Sequence, residues 1–368
     1  MQQFAQAIVR QGCKVTVIQP VAVHHAISKN SYPYHEVHQL GEGQSLDLYR
    51  PRFLSLSARE AFSKLGMFSP SRFTFLAFTM AVQRTLRKES IEPDGLYGHF
   101  LYLAGASAVR VGNRLGIPAF PCVGEGEWWT VRWFGEKQAR RDLAAATGFL
   151  ANSTALKQTL VDDLGMAKDR IGVFPNGADL SVFNPKDKLK ARKRFSLSPD
   201  AFLVCSVGSF LHKKGVVRVG EAIEGLEGVA GVFAGSGPMP PKASNTAFCG
   251  RASHDDIPYL MAACDIFVLP TLIEGSCNAI VEAMACGLPI ISSEGAFNDD
   301  LLTEAMSIRV DPLDVAAIRR GITQLHGNSK RCHKMGHASL LRSSAFDVDK
   351  RAKRMLTFMS RLGDDRLK

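Results

Sequence analysis

The sequence predicts an α/β protein made of two doubly wound parallel-sheet domains. Three observations predict it. Short apolar runs alternate with helical patterns in both halves of the chain. One charge-rich segment, Pro185 to Ser198, separates the two alternations. The stretch from Asp265 to Ser293 reads in order as strand, loop, helix, stop and strand.

In the first half, residues 2–10 read as a helix that Gly12 stops, and Val15 to Ile18 as a strand. Arg72 to Lys88 is a helix whose basic C-terminal end suits the helix dipole, its apolar side facing a core. Pro93 to Phe100 is a strand entering a loop. A helix from Ala104 to Leu115 follows, then strands at Ala119–Val123, at Phe149–Ser153, which ends at a helix cap, and at Ile171–Phe174. The charge-rich segment reads as a solvated helix or linker face. In the second half, Phe202–Val207 is a strand ending in Gly208, with a loop to Lys214-Gly215 and a helix through Ile223. Val229–Ala234 is a strand ending in Gly235-Ser236-Gly237-Pro238.

Ile266–Leu269 then suits a strand buried on both faces, and Pro270 ends it. Glu274 and Gly275 lie in a loop. Asn278 is placed to cap a helix that Gly287 and Pro289 terminate. Glu282 falls on the first turns of that helix. Two carboxylates thus flank a helix N-terminus at the carboxyl end of a strand, where open α/β sheets bind ligands and backbone N–H groups accept phosphate. An acid beside a phosphate site is best used to hold hydroxyls, and a nucleotide sugar offers both groups. Two further glycine-rich loops, Gly208 to Gly215 and Gly235 to Pro238, share that end of the sheet, and glycine lets backbone approach a ligand closely. Lys214, just before a helix, is placed to sit over a diphosphate as a point charge.

Composition narrows the partners. At 368 residues the chain has room for two domains, and 46% hydrophobic with 22% charged residues is a globular balance. No apolar run reaches the roughly 20 residues that span a bilayer. The first ten residues lack the pattern of a secretory signal. The 8 cysteines are scattered, none in Cys-x-x-Cys, and read as reduced thiols of a cytoplasmic protein. No His/Cys cluster has metal-site spacing, so no metal is expected. The net charge of +10 admits nucleic acid, an anionic membrane surface or anionic small substrates. With no nucleic-acid-binding signature, nucleic acid is the reading set aside.

The residues also carry a family resemblance. Pro175-Asn176-Gly177-Ala178-Asp179 with Phe183 and Pro185, Val207-Gly208, Lys214-Gly215, Gly235 to Pro238, Cys249-Gly250-Arg251 with His254 and Tyr259, and the spaced pair Glu274 and Glu282 resemble retaining glycosyltransferases of the two-Rossmann-domain (GT-B) type, family 4 (glycosyl transferases group 1). The resemblance is densest over residues 149–300. It implies two Rossmann-like domains facing a cleft: residues 1–176 on the acceptor side, residues 177–345 binding the nucleotide sugar, and a terminal helix over residues 346–368 crossing back to the first. It implies that Lys214 neutralises the donor diphosphate, Glu282 holds the ribose and Glu274 contacts the transferred sugar. Gly208, Ser209, Gly215, Gly275, Ser276, Cys277 and Asn278 belong to the same donor site, with Gly250, Arg251 and Ala252 along the base. No cofactor or metal is implied.

The chain departs from the family in three places. Ser209 stands where the family usually has Arg, with His212 or Lys213 as candidates to compensate. Glu125 and Glu127 occupy the loop where the family often has a catalytic His, and with His99 they are the acceptor-side candidates. The family's first strand and glycine loop have no counterpart, which implies a native frame beginning roughly 20–40 residues upstream and leaves Val15–Ile18 without a neighbour. The run Trp128 to Phe134 admits two readings, a membrane-surface or lipid-linked acceptor contact, and aromatic packing in an interdomain cleft. The expectation is a cytoplasmic glycosyltransferase on the inner face of the plasma membrane. It would move a sugar from a nucleotide donor to a glycan or lipid-linked acceptor with retention, in surface polysaccharide assembly. Its rivals are a nucleotide-sugar epimerase on the same fold, which would release a free sugar, and a non-catalytic nucleotide-sugar binding protein.

Overall fold

A computed structural model describes residues 2–23, 32–41, 43–56 and 70–367. The chain forms two compact units, Met1–Phe174 with Ala352–Lys368, and Pro175–Arg351.

The first unit opens with a helix, Gln2–Arg10. Its strands are β1 (Thr16–Ile18), β2 (Val21–Ala22), β3 (His35–Gly41), β4 (Gln44–Tyr49), β5 (Arg52–Phe53), β6 (Leu96–His99), β7 (Ala119–Val123), β8 (Phe149–Ala151) and β9 (Ile171–Val173). The last four form a parallel sheet in the order β6-β7-β8-β9. The neighbour not foreseen for Val15–Ile18 exists. β1 runs parallel to β4, with Thr16 opposite Asp47 and Ile18 opposite Tyr49. β3 pairs antiparallel with β4 and forms the edge of that sheet. Its polar side chains, among them His35, Glu36 and His38, suit an edge open to water. The core holds Phe75, Phe120, Leu101, Leu143 and Leu150, all below 3% exposed. The C-terminal helix, Val348–Leu367, closes this unit: Met355, Phe358 and Leu362 pack with Phe120, Leu150 and Phe174. Gly148 makes room for it, since a Cβ there would stand 2.6 Å from Leu362 Cδ1.

The second unit has six parallel strands: β10 (Phe202–Val207), β11 (Val229–Ala234), β12 (Thr246–Gly250), β13 (Ile266–Leu269), β14 (Ile290–Ser293) and β15 (Ser307–Val310). Their order is β12-β11-β10-β13-β14-β15. Chain order therefore reverses between β10 and β13, and the loops leaving those two strands flank a topological switch point. Two-residue alternation splits the core. Leu203, Cys205, Phe267 and Leu269 enter one apolar cluster, while Val204, Ile266 and Val268 enter another. All four residues of β13 are buried, as its unbroken apolar run requires.

The helix in the charge-rich segment, Lys188–Arg194, is less solvated than its composition suggests. Lys190 is exposed, but Arg192 is 5% exposed. The Arg192 guanidinium donates to Ala263 O at 2.9 Å and to Asp265 Oδ2 at 2.8 Å. Asp265 also pairs with Lys188 and accepts from the Leu203 amide at 2.6 Å. A half-buried carboxylate needs several donors at once, and sequence spacing does not show where they come from.

Candidate functional site

The site of the second unit is assembled by backbone. The Gly208 amide donates to Ala234 O at 3.0 Å, and Phe210 to Ser236 O at 2.9 Å. Met239 donates to Phe210 O at 3.0 Å, and Gly235 to Gly250 O at 2.8 Å. The loops after β10, β11 and β12 are thereby laced together. A Cβ on Gly235 would stand 1.9 Å from Gly208 O, so only glycine permits this approach.

The loop after β13 is tied to the same group. The Leu272 amide donates to Lys213 O at 2.8 Å, and the Thr271 hydroxyl to the same oxygen at 3.0 Å. Arg218, 8% exposed, reaches His212 O at 3.1 Å and Pro270 O at 3.0 Å. Sequence reasoning missed Arg218. The signal was present: an arginine among valines on the helix Val216–Ile223 has to find buried acceptors.

Lys214 and Glu274 meet here as a short ion pair, with side chains 21% and 15% exposed. Sequence placed both residues at the site but did not foresee the pairing. Burial works against the Lys214 charge, yet the Glu274 carboxylate outweighs it and holds the ammonium above its usual range. The Thr271 hydroxyl lies 3.3 Å from the same Glu274 oxygen. Gly215, between Lys214 and the helix, has φ +77°, and a Cβ there would stand 2.4 Å from Pro270 O.

The helix Asn278–Ala285 starts one residue earlier than expected. Cys277, in extended conformation, holds the cap position and Asn278 is the first helical residue, exposed. Asn278 is thus not the cap. Its backbone is already helical, whereas a capping residue must lie outside the helix. Burial, with the Glu274 charge adding to it, pushes the Cys277 thiol up to about 12, so it is neutral. Gly275 is buried, and the Ser276 hydroxyl accepts from the Asn176 amide at 3.0 Å. Asn176 Nδ2 donates back to Ser276 O at 2.9 Å. The turn Pro175 to Asp179 therefore braces the loop after β13. Glu282 is partly exposed, but burial pushes its carboxyl up to about 7. Ser209 and Arg251 are exposed, Ala252 is half-buried, and Arg251 Nε donates to Ser236 Oγ at 3.1 Å.

The other candidates lie in the first unit. His99 Nδ1 is 3.0 Å from the Tyr97 hydroxyl, and its ring is 4.3 Å from that of Phe100. Phe100 has φ +71°, a strained value for a residue with a Cβ. Glu125 ties the loop after β7 to the segment after β6: its carboxylate accepts from the Leu101 amide at 2.7 Å and the Gly124 amide at 3.1 Å. Burial raises the Glu125 carboxyl in spite of these donors. Glu127 is exposed. Phe134 stacks on Tyr102 at 4.2 Å and 6°, and Val131 is 3% exposed. So this part of the Trp128–Phe134 run packs on its own unit's core. Trp133 is 37% exposed, and the Trp129 side chain lies outside the described residues.

A doubly wound sheet with glycine loops, a lysine–glutamate pair and a helix N-terminus at its switch point is a ligand-binding α/β architecture. Comparison with known proteins narrows it. Residues 187–341 match the family described as glycosyl transferases group 1, and residues 1–182 match Glycosyltransferase Family 4. The chain belongs to this glycosyltransferase family, of the GT-B fold. It is 26% identical over 339 residues to TuaC of Bacillus subtilis (strain 168), a glycosyltransferase assigned to teichuronic acid biosynthesis, covering 87% of this chain and 82% of TuaC. It is 29% identical over 240 residues to the D-inositol 3-phosphate glycosyltransferase of Mycobacterium tuberculosis (strain F11), covering 56% of this chain and 49% of that protein. Among solved structures it resembles sucrose-phosphate synthase from Thermosynechococcus elongatus, with TM-score 0.79 and 18% identity over 98% of this chain and 92% of that one. HepE of Anabaena in complex with UDP-glucose aligns with TM-score 0.66 and 17% identity over 85% of this chain and 86% of that one.

Proposed function

We propose that this protein transfers a sugar from a nucleoside diphosphate sugar to a glycan or lipid-linked acceptor, with retention of anomeric configuration, in the assembly of a surface polysaccharide. The observation that carries the reading is the Lys214–Glu274 pair held by the laced loops beside the helix at Asn278. In a group transfer from a diphosphate, negative charge grows on the leaving phosphate. Lys214 and the first-turn amides are a cation and a set of fixed dipoles of the right sign for it. Glu274 accepts hydrogen bonds from the sugar, and Glu282 from the ribose. The second unit takes the donor and the first takes the acceptor. Because Lys214 supplies the charge, the reaction needs no metal.

TuaC's assignment to teichuronic acid biosynthesis supports the polysaccharide setting, and HepE's complex with UDP-glucose supports a nucleotide-sugar donor. Such donors are cytoplasmic, so we place the enzyme there, on the inner face of the plasma membrane where a lipid-linked acceptor is presented. Among the described residues no helix is long and apolar enough to cross a membrane.

The test is a thermal-shift panel of nucleotide sugars, since a donor stabilises the fold according to its occupancy. The best donor is then incubated with candidate acceptors, and the anomeric configuration of the product is read by NMR. Transfer with retention, unchanged by EDTA, is expected. A free sugar released at the full rate without acceptor would replace transfer by epimerase or hydrolase chemistry. Donor binding with no turnover on any acceptor would reduce the protein to a binder.

A further inference from the structure

The first unit holds a second concentration of positive charge that the donor chemistry does not use. The helix Pro70–Lys88 and the segment around β5 enclose a groove of about 580 Å³. Its small side chains, Pro51, Ala81 and Thr85, are buried. Four cations line it: Arg52, Arg84, Arg87 and Lys88, all exposed. Ala81, Arg84, Thr85 and Lys88 follow helical spacing, so one face of the helix supplies them, while Arg52 comes from the strand.

A basic end on a helix has an ordinary explanation in the helix dipole. That dipole amounts to only about half a charge and fades within the last turn. It accounts for Arg87 or Lys88, but not for Arg84 a turn earlier or for Arg52 on another element. Neutralisation among the described residues is also incomplete. Glu89 pairs with Lys88 at 3.1 Å and accepts from the Tyr34 hydroxyl at 3.0 Å. Lys88 lies 4.1 Å from the centre of the Tyr34 ring. Arg52 donates to Tyr32 O at 2.8 Å, and Arg87 to Gln83 O at 3.4 Å. Among the described residues no carboxylate pairs with Arg52, Arg84 or Arg87. Three guanidinium groups that line a small-residue floor, with no carboxylate partner among the described residues, carry the forked donors that phosphate oxygens accept.

We infer that this groove binds a phosphate-bearing group, at a site separate from the donor loops. Two sources offer that chemistry: the headgroup of an anionic phospholipid, and a soluble or lipid-linked acceptor that carries phosphate. The inference does not depend on the donor assignment, because no residue is shared.

The experiment uses the full chain carrying Lys214→Ala, so that the donor loops contribute little to phosphate binding. One arm titrates inorganic pyrophosphate by calorimetry. The other measures co-sedimentation with vesicles of phosphatidylglycerol and phosphatidylcholine in equal parts, against phosphatidylcholine alone. Each arm is repeated with Arg52→Gln and Arg84→Gln together, and with both arginines changed to Lys. The glutamine pair should weaken binding about tenfold or more, as expected for two lost charged hydrogen bonds, and the lysine pair should retain most of it. Added salt should weaken binding in either arm. A response confined to pyrophosphate identifies a phosphate-bearing acceptor, and one confined to phosphatidylglycerol identifies a lipid headgroup. Both positions are exposed, and an unchanged melting temperature confirms that the variants fold. Binding in both arms that is absent from the start, or unaltered by the glutamine pair in folded protein, overturns the inference.

Discussion

Glu282 should make nucleotide binding and stability depend on pH in opposite directions. Its carboxyl has an ordinary value of 4.5 and is raised by burial to about 7 in the fold. Between those values the folded protein holds a proton that the unfolded chain has released. Stability from this group is therefore full below pH 4.5, declines as pH rises, and is lowest above pH 7. The gap corresponds to about 2–3 kcal/mol after allowance for the partial exposure of the side chain. Glu282→Gln removes the titration. The variant should match the parent near pH 4 and be more stable by about that amount at pH 8. Binding runs the other way. Ribose hydroxyls donate better to a carboxylate than to a carboxylic acid, so donor affinity should rise with pH until about 7 and then level off. One charged hydrogen bond is worth about 1.5–3 kcal/mol, or roughly ten- to hundredfold in affinity. The glutamine variant should show a flat, weak profile. A nucleotide sugar is the proper probe, because its diphosphate diester does not titrate in this window. The 3 tryptophans, at 128, 129 and 133, all lie in the first unit. Calorimetry, not tryptophan fluorescence, should therefore follow unfolding of the second. A glutamine variant with the parent's pH profile in both measurements would refute the reasoning.

Lys214→Ala should weaken nucleoside diphosphate about tenfold or more and nucleoside monophosphate far less, by titration calorimetry, since one cation beside the second phosphate is removed. Equal losses would place Lys214 elsewhere. Glu274→Gln should lower kcat more than donor affinity, because its bonds go to the reacting sugar; a normal kcat with only a raised KM would contradict that role. Gly215→Ala should lower the melting temperature and abolish donor-induced stabilisation. Its φ of +77° and the 2.4 Å approach to Pro270 O leave no room for a methyl group, at a cost of about 2 kcal/mol or more. A folded alanine variant with parental donor affinity would show that the loop tolerates a shift.

The second unit was largely legible in the sequence, for a physical reason. A strand buried on both faces must be an unbroken apolar run, so Ile266–Leu269 could be read directly, and the glycines of the loops after β10 and β11 mark close backbone approach. The first unit was less legible. β3 carries polar residues because its edge is open to water, and polar alternation leaves little trace against a loop. Within the site, the positions of Lys214, Glu274 and Glu282 followed from motif and spacing, but their partners did not. Arg218 reaching Pro270, Asn176 holding Ser276 and, in the first unit, Glu125 accepting from Leu101 join residues distant in sequence. Such contacts depend on which loops the sheet brings together. The cap at Cys277 was missed because asparagine is the better capping residue in isolation, while the backbone at this turn had already become helical at Asn278.

The Lys214–Glu274 pair has a consequence for the order of recognition. Under the proposed function the diphosphate and the sugar belong to one molecule, and each claims one member of an existing ion pair. A diphosphate that draws on the Lys214 charge loosens its hold on Glu274 and leaves that carboxylate available to sugar hydroxyls. Breaking a largely buried pair by removing one partner strands the other charge, whereas exchanging the partner for a diphosphate does not. The nucleotide and sugar contacts should therefore be energetically coupled. A double-mutant cycle of Lys214→Ala and Glu274→Gln measures that coupling. With the nucleotide alone as ligand, Glu274→Gln should strengthen binding slightly, because Lys214 loses a competitor for the diphosphate. With the nucleotide sugar, the same change should weaken binding or turnover. Additive effects within about 0.5 kcal/mol for both ligands would show that the two residues act independently and that the ion pair has no part in donor recognition.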